Sequence, residues 1–146
     1  MENSEVEILL VEDDPDDAEM TIDAMRKNNL ANKLIHLVDG EQALDFLFGT
    51  GKFTGRDVSF KPRLILLDLK MPKVDGIEVL ERVKSNEATK KIPVVILTSS
   101  KEDPDVSRCY ELGANGYIVK PVEFESFVKA VSELGMYWLL LNHASE

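Results

Sequence analysis

The chain of 146 residues is poor in the side chains that serve redox and soft-metal chemistry. Its one cysteine, Cys109, cannot form an internal disulfide, and a reducing, cytoplasmic setting is the natural expectation. Two histidines, His36 and His143, cannot build a zinc site with that lone thiol. No apolar run approaches the roughly 20 residues that span a bilayer, and the first residues lack the basic and apolar regions of a signal peptide. Positive charge is scarce too: 17 Lys and Arg face 27 Asp and Glu, for a formal net charge of −10. With no basic stripe, direct nucleic-acid binding is not expected.

Acid is abundant, and in one place. Residues 1–25 contain Glu2, Glu5, Glu7, Glu12, Asp13, Asp14, Asp16, Asp17, Glu19 and Asp23 and no base, so the remainder of the chain is electrically balanced. The length suits one domain, and 44% hydrophobic with 30% charged residues is a globular composition.

Short apolar runs alternate with helical patterns throughout. The runs are Val6–Val11, Leu34–Val38, Leu64–Leu67, Val94–Leu97 and Tyr117–Val119, several of them unbroken, as in central parallel strands covered on both faces. Helix starts are marked by Asp14-Pro15, by Asp39 with Gln42, by Asp75-Gly76 and by Asp103-Pro104. A fifth helix begins at Glu123, with Phe124, Phe127, Val128, Val131 and Leu134 as its apolar stripe. Five strands alternating with five helices predict an α/β fold with one open, doubly wound parallel sheet. The Gly-bearing, mostly polar stretch from Gly49 to Arg63 reads as a surface excursion.

In such sheets ligands bind beyond the carboxyl ends of the strands. The residues following the runs are Glu12-Asp13-Asp14, then Asp68, then Thr98-Ser99-Ser100, then Lys120-Pro121. Asp14 is accounted for as a cap, because it immediately precedes Pro15. Asp68 is not, because no helix signal appears before Asp75. Clustered carboxylates without His or Cys suit a hard cation such as Mg²⁺, which takes one or two carboxylates together with a phosphate oxygen. A carboxylate beside such an ion can also be the nucleophile toward a phosphoryl group, with Lys120 and Thr98 as the cation and hydroxyl that meet the developing charge. A calcium loop is the rival, but the residues after Asp13 lack its glycine and glutamate spacing.

The segments ILLVEDD, LILLDLKMPKVDG, VVILTSS and GANGYIVKP resemble, in order and spacing, the receiver domain of two-component response regulators over Val6 to Leu134. The resemblance implies a flavodoxin-like five-stranded sheet of order 2-1-3-4-5 with five helices; a chemotaxis receiver is a standing example of that order. It implies that Asp68 accepts a phosphoryl group from a histidine kinase. Glu12, Asp13, Asp68 and the backbone carbonyl of Lys70 would hold Mg²⁺, and Lys120, before a cis peptide to Pro121, would pair with the phosphoryl oxygens. Thr98 and Tyr117 would be the switch pair. DGEQALDFLFG, the long loop and a Trp-bearing tail look like the receivers paired with phytochrome-like histidine kinases.

Two rivals stand beside the phosphoacceptor switch. A haloacid-dehalogenase-like phosphatase requires an Asp two residues after its nucleophile, where this chain has Lys70. A pseudo-receiver would act as an interaction module without phosphorylation. The chain reads as a single receiver of residues 1–146, with a core over 6–134 and an apolar extension over 135–146. With no output domain in view, the output is expected to be binding. The run from Met136 to Leu141 would be apolar all round on a helix, which suggests a homodimer or partner interface. Lys101 and Glu102, just after Thr98, are placed to tune the lifetime of the phosphoryl group. No enzymatic turnover is expected beyond the protein's own phosphorylation and dephosphorylation.

Overall fold

A computed structural model describes residues 7–28, 33–71, 74–100 and 103–136. Five parallel strands, β1 (Ile8–Val11), β2 (Leu34–Leu37), β3 (Leu64–Asp68), β4 (Val94–Thr98) and β5 (Gly116–Val119), lie in the order β2-β1-β3-β4-β5. Five helices alternate with them: α1 (Pro15–Arg26), α2 (Gly40–Phe48), α3 (Gly76–Ser85), α4 (Pro104–Glu111) and α5 (Phe124–Glu133). This is the flavodoxin-like α/β architecture. The register pairs Val11 with Leu67, Asp68 with Leu97, and Thr98 with Val119. The carboxyl ends of four strands therefore reach one rim.

Side-chain alternation along the strands divides the core into two layers. Leu9, Val11, Ile65, Leu67, Val94 and Ile96 pack with Phe46, Leu47, Val79, Leu80, Val83 and Cys109 of α2, α3 and α4. Ile8, Leu10, Leu64, Leu66, Val95, Leu97 and Ile118 pack with Ala18, Met25, Phe127 and Val131 of α1 and α5. Every residue of β1, β3 and β4 is buried, which is why those runs carry no polar alternation. Strand β5 is an edge, and leaves Tyr117 and Val119 exposed.

The capping residues act as their sequence context predicts. Asp14 accepts from the Asp16 and Asp17 N–H groups, Asp39 from Gln42, Asp75 from Glu78 and Asp103 from Asp105. Asp39 with Gln42 departs slightly from a capping box: the Gln42 carboxamide oxygen accepts from the Val38 N–H, one residue before the cap. Strand ends also differ from expectation. β1 begins at Ile8, β2 stops before the exposed Val38, β3 and β4 extend to Asp68 and Thr98, and β5 starts at Gly116.

On α5, Ala130 is buried and Val128 is only half-buried, so the stripe runs through Phe127, Ala130 and Val131, flanked by Phe124 and Leu134. The helix does not continue through Gly135. That residue is left-handed (φ 74°), and the Met136 N–H returns to the Val131 carbonyl at 2.8 Å, closing the last turn. Met136 then drops into the α1/α5 core, so the first member of the apolar run is spent on packing. The tail from Tyr137 onward, Val6, and Lys101 with Glu102 lie outside the described residues.

The excursion from Gly49 to Arg63 runs over the surface yet is pinned. It contains a 3-10 turn at Gly51–Phe53, and the Phe53 ring meets Phe46 edge-on at 5.2 Å. The Arg56 guanidinium stacks on Phe46 at 3.8 Å and donates to the Phe46 and Phe60 carbonyls at 2.8 and 2.6 Å.

Candidate functional site

Four loops and strand ends build a cleft of about 280 Å³ at the carboxyl edge of the sheet. β1 delivers Glu12 and Asp13, β3 ends on Asp68, β4 ends on Thr98, and Lys120 follows β5. Glu12, Asp13 and Asp68 each offer a carboxylate oxygen within 4.8 Å of the others. No other group of three or more metal-type ligands occurs among the described residues. Three hard oxygen donors with no imidazole or thiolate suit a divalent cation of the oxygen-seeking kind.

Burial makes the charges of this cluster unusual. Glu12 is fully buried and Asp68 is 4% exposed. Burial, then the hydrogen bond and negative charge of Asp68, push the Glu12 carboxyl up to about 8, against the opposing pull of Lys120 and the Asp14 N–H. Asp13 is raised as well, by burial first and by Asp68 next. Without a cation the site resists holding all of its carboxylates ionised.

Lys120 supplies the local countercharge. Its Nζ donates to Asp17 Oδ2 at 3.0 Å, to Glu12 Oε1 at 3.3 Å and to Asp68 Oδ1 at 3.3 Å. Burial alone would favour loss of its proton. The bond to Asp17 and the charges of Asp68, Glu12 and Asp17 outweigh that, holding the ammonium above the ordinary lysine range. The Lys120–Pro121 peptide is cis, as the family resemblance implied. The Lys120 N–H also bonds the Thr98 carbonyl at 2.8 Å, tying the ends of β4 and β5 together.

Thr98 is buried, with its hydroxyl engaged by the loop it introduces. It donates to the Ser100 carbonyl at 3.0 Å and accepts from the Ser100 N–H at 3.3 Å. Tyr117 lies away from the cleft on the outer edge of the sheet, 36% exposed and edge-on to Tyr110 at 6.4 Å. Lys70 lines the cleft, and its ammonium stands 3.7 Å from Asp103 at the start of α4. Below Asp68, Gly76 lets α3 come close: a Cβ there would collide with the Asp68 carbonyl oxygen and lie 2.7 Å from Leu69 Cα.

Two residues of the site were not legible as such in the sequence. Asp17 suits the positive end of α1 on dipole grounds alone, and only the structure shows it reaching Lys120. His36 on β2 reads as a packing residue, yet its Nε2 lies 2.8 Å from the Glu12 carbonyl oxygen, where the ring N–H donates to the backbone that presents Glu12 and Asp13. A larger, shallow groove of about 810 Å³ between α3 and α4 mixes acids with Arg82 and Lys84 and gathers no comparable triad.

The model of the response regulator receiver domain matches residues 8–132. The chain belongs to this family. Among curated relatives, the receiver is 41% identical to the probable methanogenesis regulatory protein FilR2 of Methanothrix harundinacea, over 94% of this chain and 86% of that protein. It is 40% identical to the response regulator Rcp1 of Synechocystis, over 90% of this chain and 88% of that protein. Among solved structures, the bacteriophytochrome response regulator RtBRR superposes with a TM-score of 0.82 at 53% identity, covering 90% of this chain and 78% of that one. The Mn²⁺-bound form of Rcp1 gives a TM-score of 0.72 at 39% identity, covering 90% and 93%. That relative's ion agrees with the oxygen donor set here. Membership in the receiver family also sets aside the phosphatase reading, whose required acid two residues after Asp68 is replaced by Lys70. No helix among the described residues is long and apolar enough to cross a membrane.

Proposed function

We propose that this receiver is a phosphoacceptor switch in which Asp68 takes a phosphoryl group from the phosphohistidine of a sensor histidine kinase. One observation carries the reading: the Lys120 ammonium stands 3.3 Å from Asp68 Oδ1 inside the cluster formed with Glu12 and Asp13. An Asp68 carboxylate oxygen attacks phosphorus, the nitrogen–phosphorus bond breaks, and the histidine leaves with its electron pair. Lys120 faces the equatorial oxygens, where charge develops. A Mg²⁺ ion bound by Glu12, Asp13, Asp68 and the Lys70 carbonyl would neutralise the transferring group. The aspartyl phosphate then adds about −1.5 to −2 charges to the rim. Thr98 exchanges Ser100 for a phosphoryl oxygen, and Tyr117 turns from its exposed position toward the space vacated, so that β4, α4 and β5 repack.

The kinase we assign is of the phytochrome type, in the cytoplasm. Support comes from the similarity to RtBRR, which is described as a bacteriophytochrome response regulator. The output is partner binding or homodimerisation through the last helices and the C-terminal tail. The direct test is incubation with Mg²⁺ and acetyl phosphate, read by intact mass. The wild type should gain one phosphoryl group and Asp68→Asn none; equal labelling of the two would refute the assignment.

A further inference from the structure

Lys120 has three carboxylate partners, and its shortest contact is to the one without a part in the chemistry above. Nζ lies 3.0 Å from Asp17 Oδ2, against 3.3 Å from both Glu12 Oε1 and Asp68 Oδ1. Asp17 belongs to the first turn of α1. Its N–H is bound by the Asp14 side chain, which helps hold that turn of α1 in place. The Asp17 side chain is one-third exposed, and it stands outside the group of acids whose ligand atoms converge. A cation joining Glu12 and Asp68 would repel the ammonium from those two partners, and Asp17 is then the anion left to hold it. Lysine needs such a hold, because its charge sits on a flexible four-carbon stem.

We infer that Asp17 is a positioning residue for Lys120, keeping the ammonium beside the accepting oxygen of Asp68 when the other acids are engaged; this rests on Asp68 being the phosphoacceptor. The tether acts before transfer begins. A cation already in place where charge develops need not be recruited during the step, which is the source of its catalytic value. It also couples α1 directly to the chemistry, since the Asp17–Lys120 bond links the first helix to the residue that follows β5.

The experiment uses the full chain with Asp17→Ala, Asp17→Asn, Lys120→Ala and the double variant Asp17→Ala with Lys120→Ala. At saturating Mg²⁺, Asp17→Ala should slow labelling by acetyl phosphate about 5- to 10-fold, within the roughly 2- to 150-fold span of residues coupled by direct contact. The Mg²⁺ concentration for half-maximal rate should move much less. Asp17→Asn, which keeps an acceptor oxygen but loses the charge, should recover only part of the rate. In the Lys120→Ala background, Asp17→Ala should change nothing further. A second readout needs neither donor nor metal: in ¹⁵N–¹H spectra of the lysine ammonium groups, the Lys120 signal should be exchange-protected in the wild type and lost in Asp17→Ala. An equal fall in both Lys120 backgrounds, or an ammonium signal unmoved by Asp17→Ala, would overturn the inference. Failure of the wild type to take up phosphoryl would instead refute the phosphoacceptor reading, and the ammonium signal would still decide whether Asp17 holds Lys120.

Discussion

The buried Glu12 makes the stability of the metal-free protein depend on pH in an uncommon direction. Its carboxyl is raised from 4.5 to about 8 in the folded chain, so folding takes up a proton between those values. The stability so gained is fully present below about pH 4.5 and is lost as pH rises through about 8. Integrated from about pH 5 to about pH 8, the loss comes to about 3–4 kcal/mol, at about 1.4 kcal/mol for each tenfold fall in proton concentration. That is a large share of the roughly 5–15 kcal/mol of an ordinary domain. Lys120 contributes no slope in this window, because its ammonium is charged in both folded and unfolded chains. The raised carboxyl of Asp13 has the same sign.

Urea unfolding at several pH values, followed by far-ultraviolet circular dichroism, measures this directly. The metal-free wild type should lose stability steadily from about pH 5 to about pH 8. Glu12→Gln mimics the protonated side chain and keeps an acceptor for the Asp14 N–H, which donates to Glu12 Oε2 at 3.2 Å. Its slope should fall below about 1 kcal/mol over the same range, since the titrating group is gone. Both proteins carry the same histidines, so the difference between the slopes belongs to position 12. Saturating Mg²⁺ should cancel the wild-type slope, because a cation binds the ionised carboxylate and its stabilisation grows with pH. Parallel slopes in wild type and Glu12→Gln would refute the reasoning.

Two further substitutions probe the frame around the cleft. Gly76→Ala places a methyl group against the Asp68 carbonyl and Leu69, and should cost about 1–3 kcal/mol in urea unfolding while slowing phosphorylation; a variant as stable and as fast as wild type would show that the β3–α3 loop yields freely. Arg56→Ala removes a guanidinium stacked at 3.8 Å on Phe46 and two bonds to carbonyls, and should cost about 1–2 kcal/mol while exposing the Gly49–Arg63 excursion to limited proteolysis. An unchanged cleavage rate in Arg56→Ala would mean that Phe53 alone pins the loop.

The parts of this receiver that could be read from its sequence are those where one local pattern has one physical solution. LILLD and VVILT are short apolar runs set between helix signals, the pattern of strands covered on both faces. Their parallel register then carries Asp68 and Thr98 to the same rim without further information. Apolar letters are less informative where coverage is incomplete: Tyr117 and Val119 look like strand core and are exposed, because at the edge strand β5 the face they share is left partly uncovered, while Ile118 on the opposite face is buried. Val128 and Ala130 show the same limit on a helix, since spacing admits either and the neighbouring elements choose the smaller residue. Asp17 and His36 mark a different boundary. A carboxylate in the first turn of a helix satisfies the dipole whether or not a lysine 103 positions later reaches it, and a histidine in a strand packs whether or not a carbonyl lies opposite. Each of these side chains is fully accounted for by its local setting, and that is what hides its second partner. Once the sheet order sets β1 between β2 and β3, the ends of β2 and β5 approach one loop from opposite sides: His36 holds its backbone and Lys120 binds its buried acid. The acidity that dominates the first 25 residues is therefore tolerated, around Glu12, by the Lys120 ammonium that follows β5 and by the proton that burial favours on the carboxyl itself.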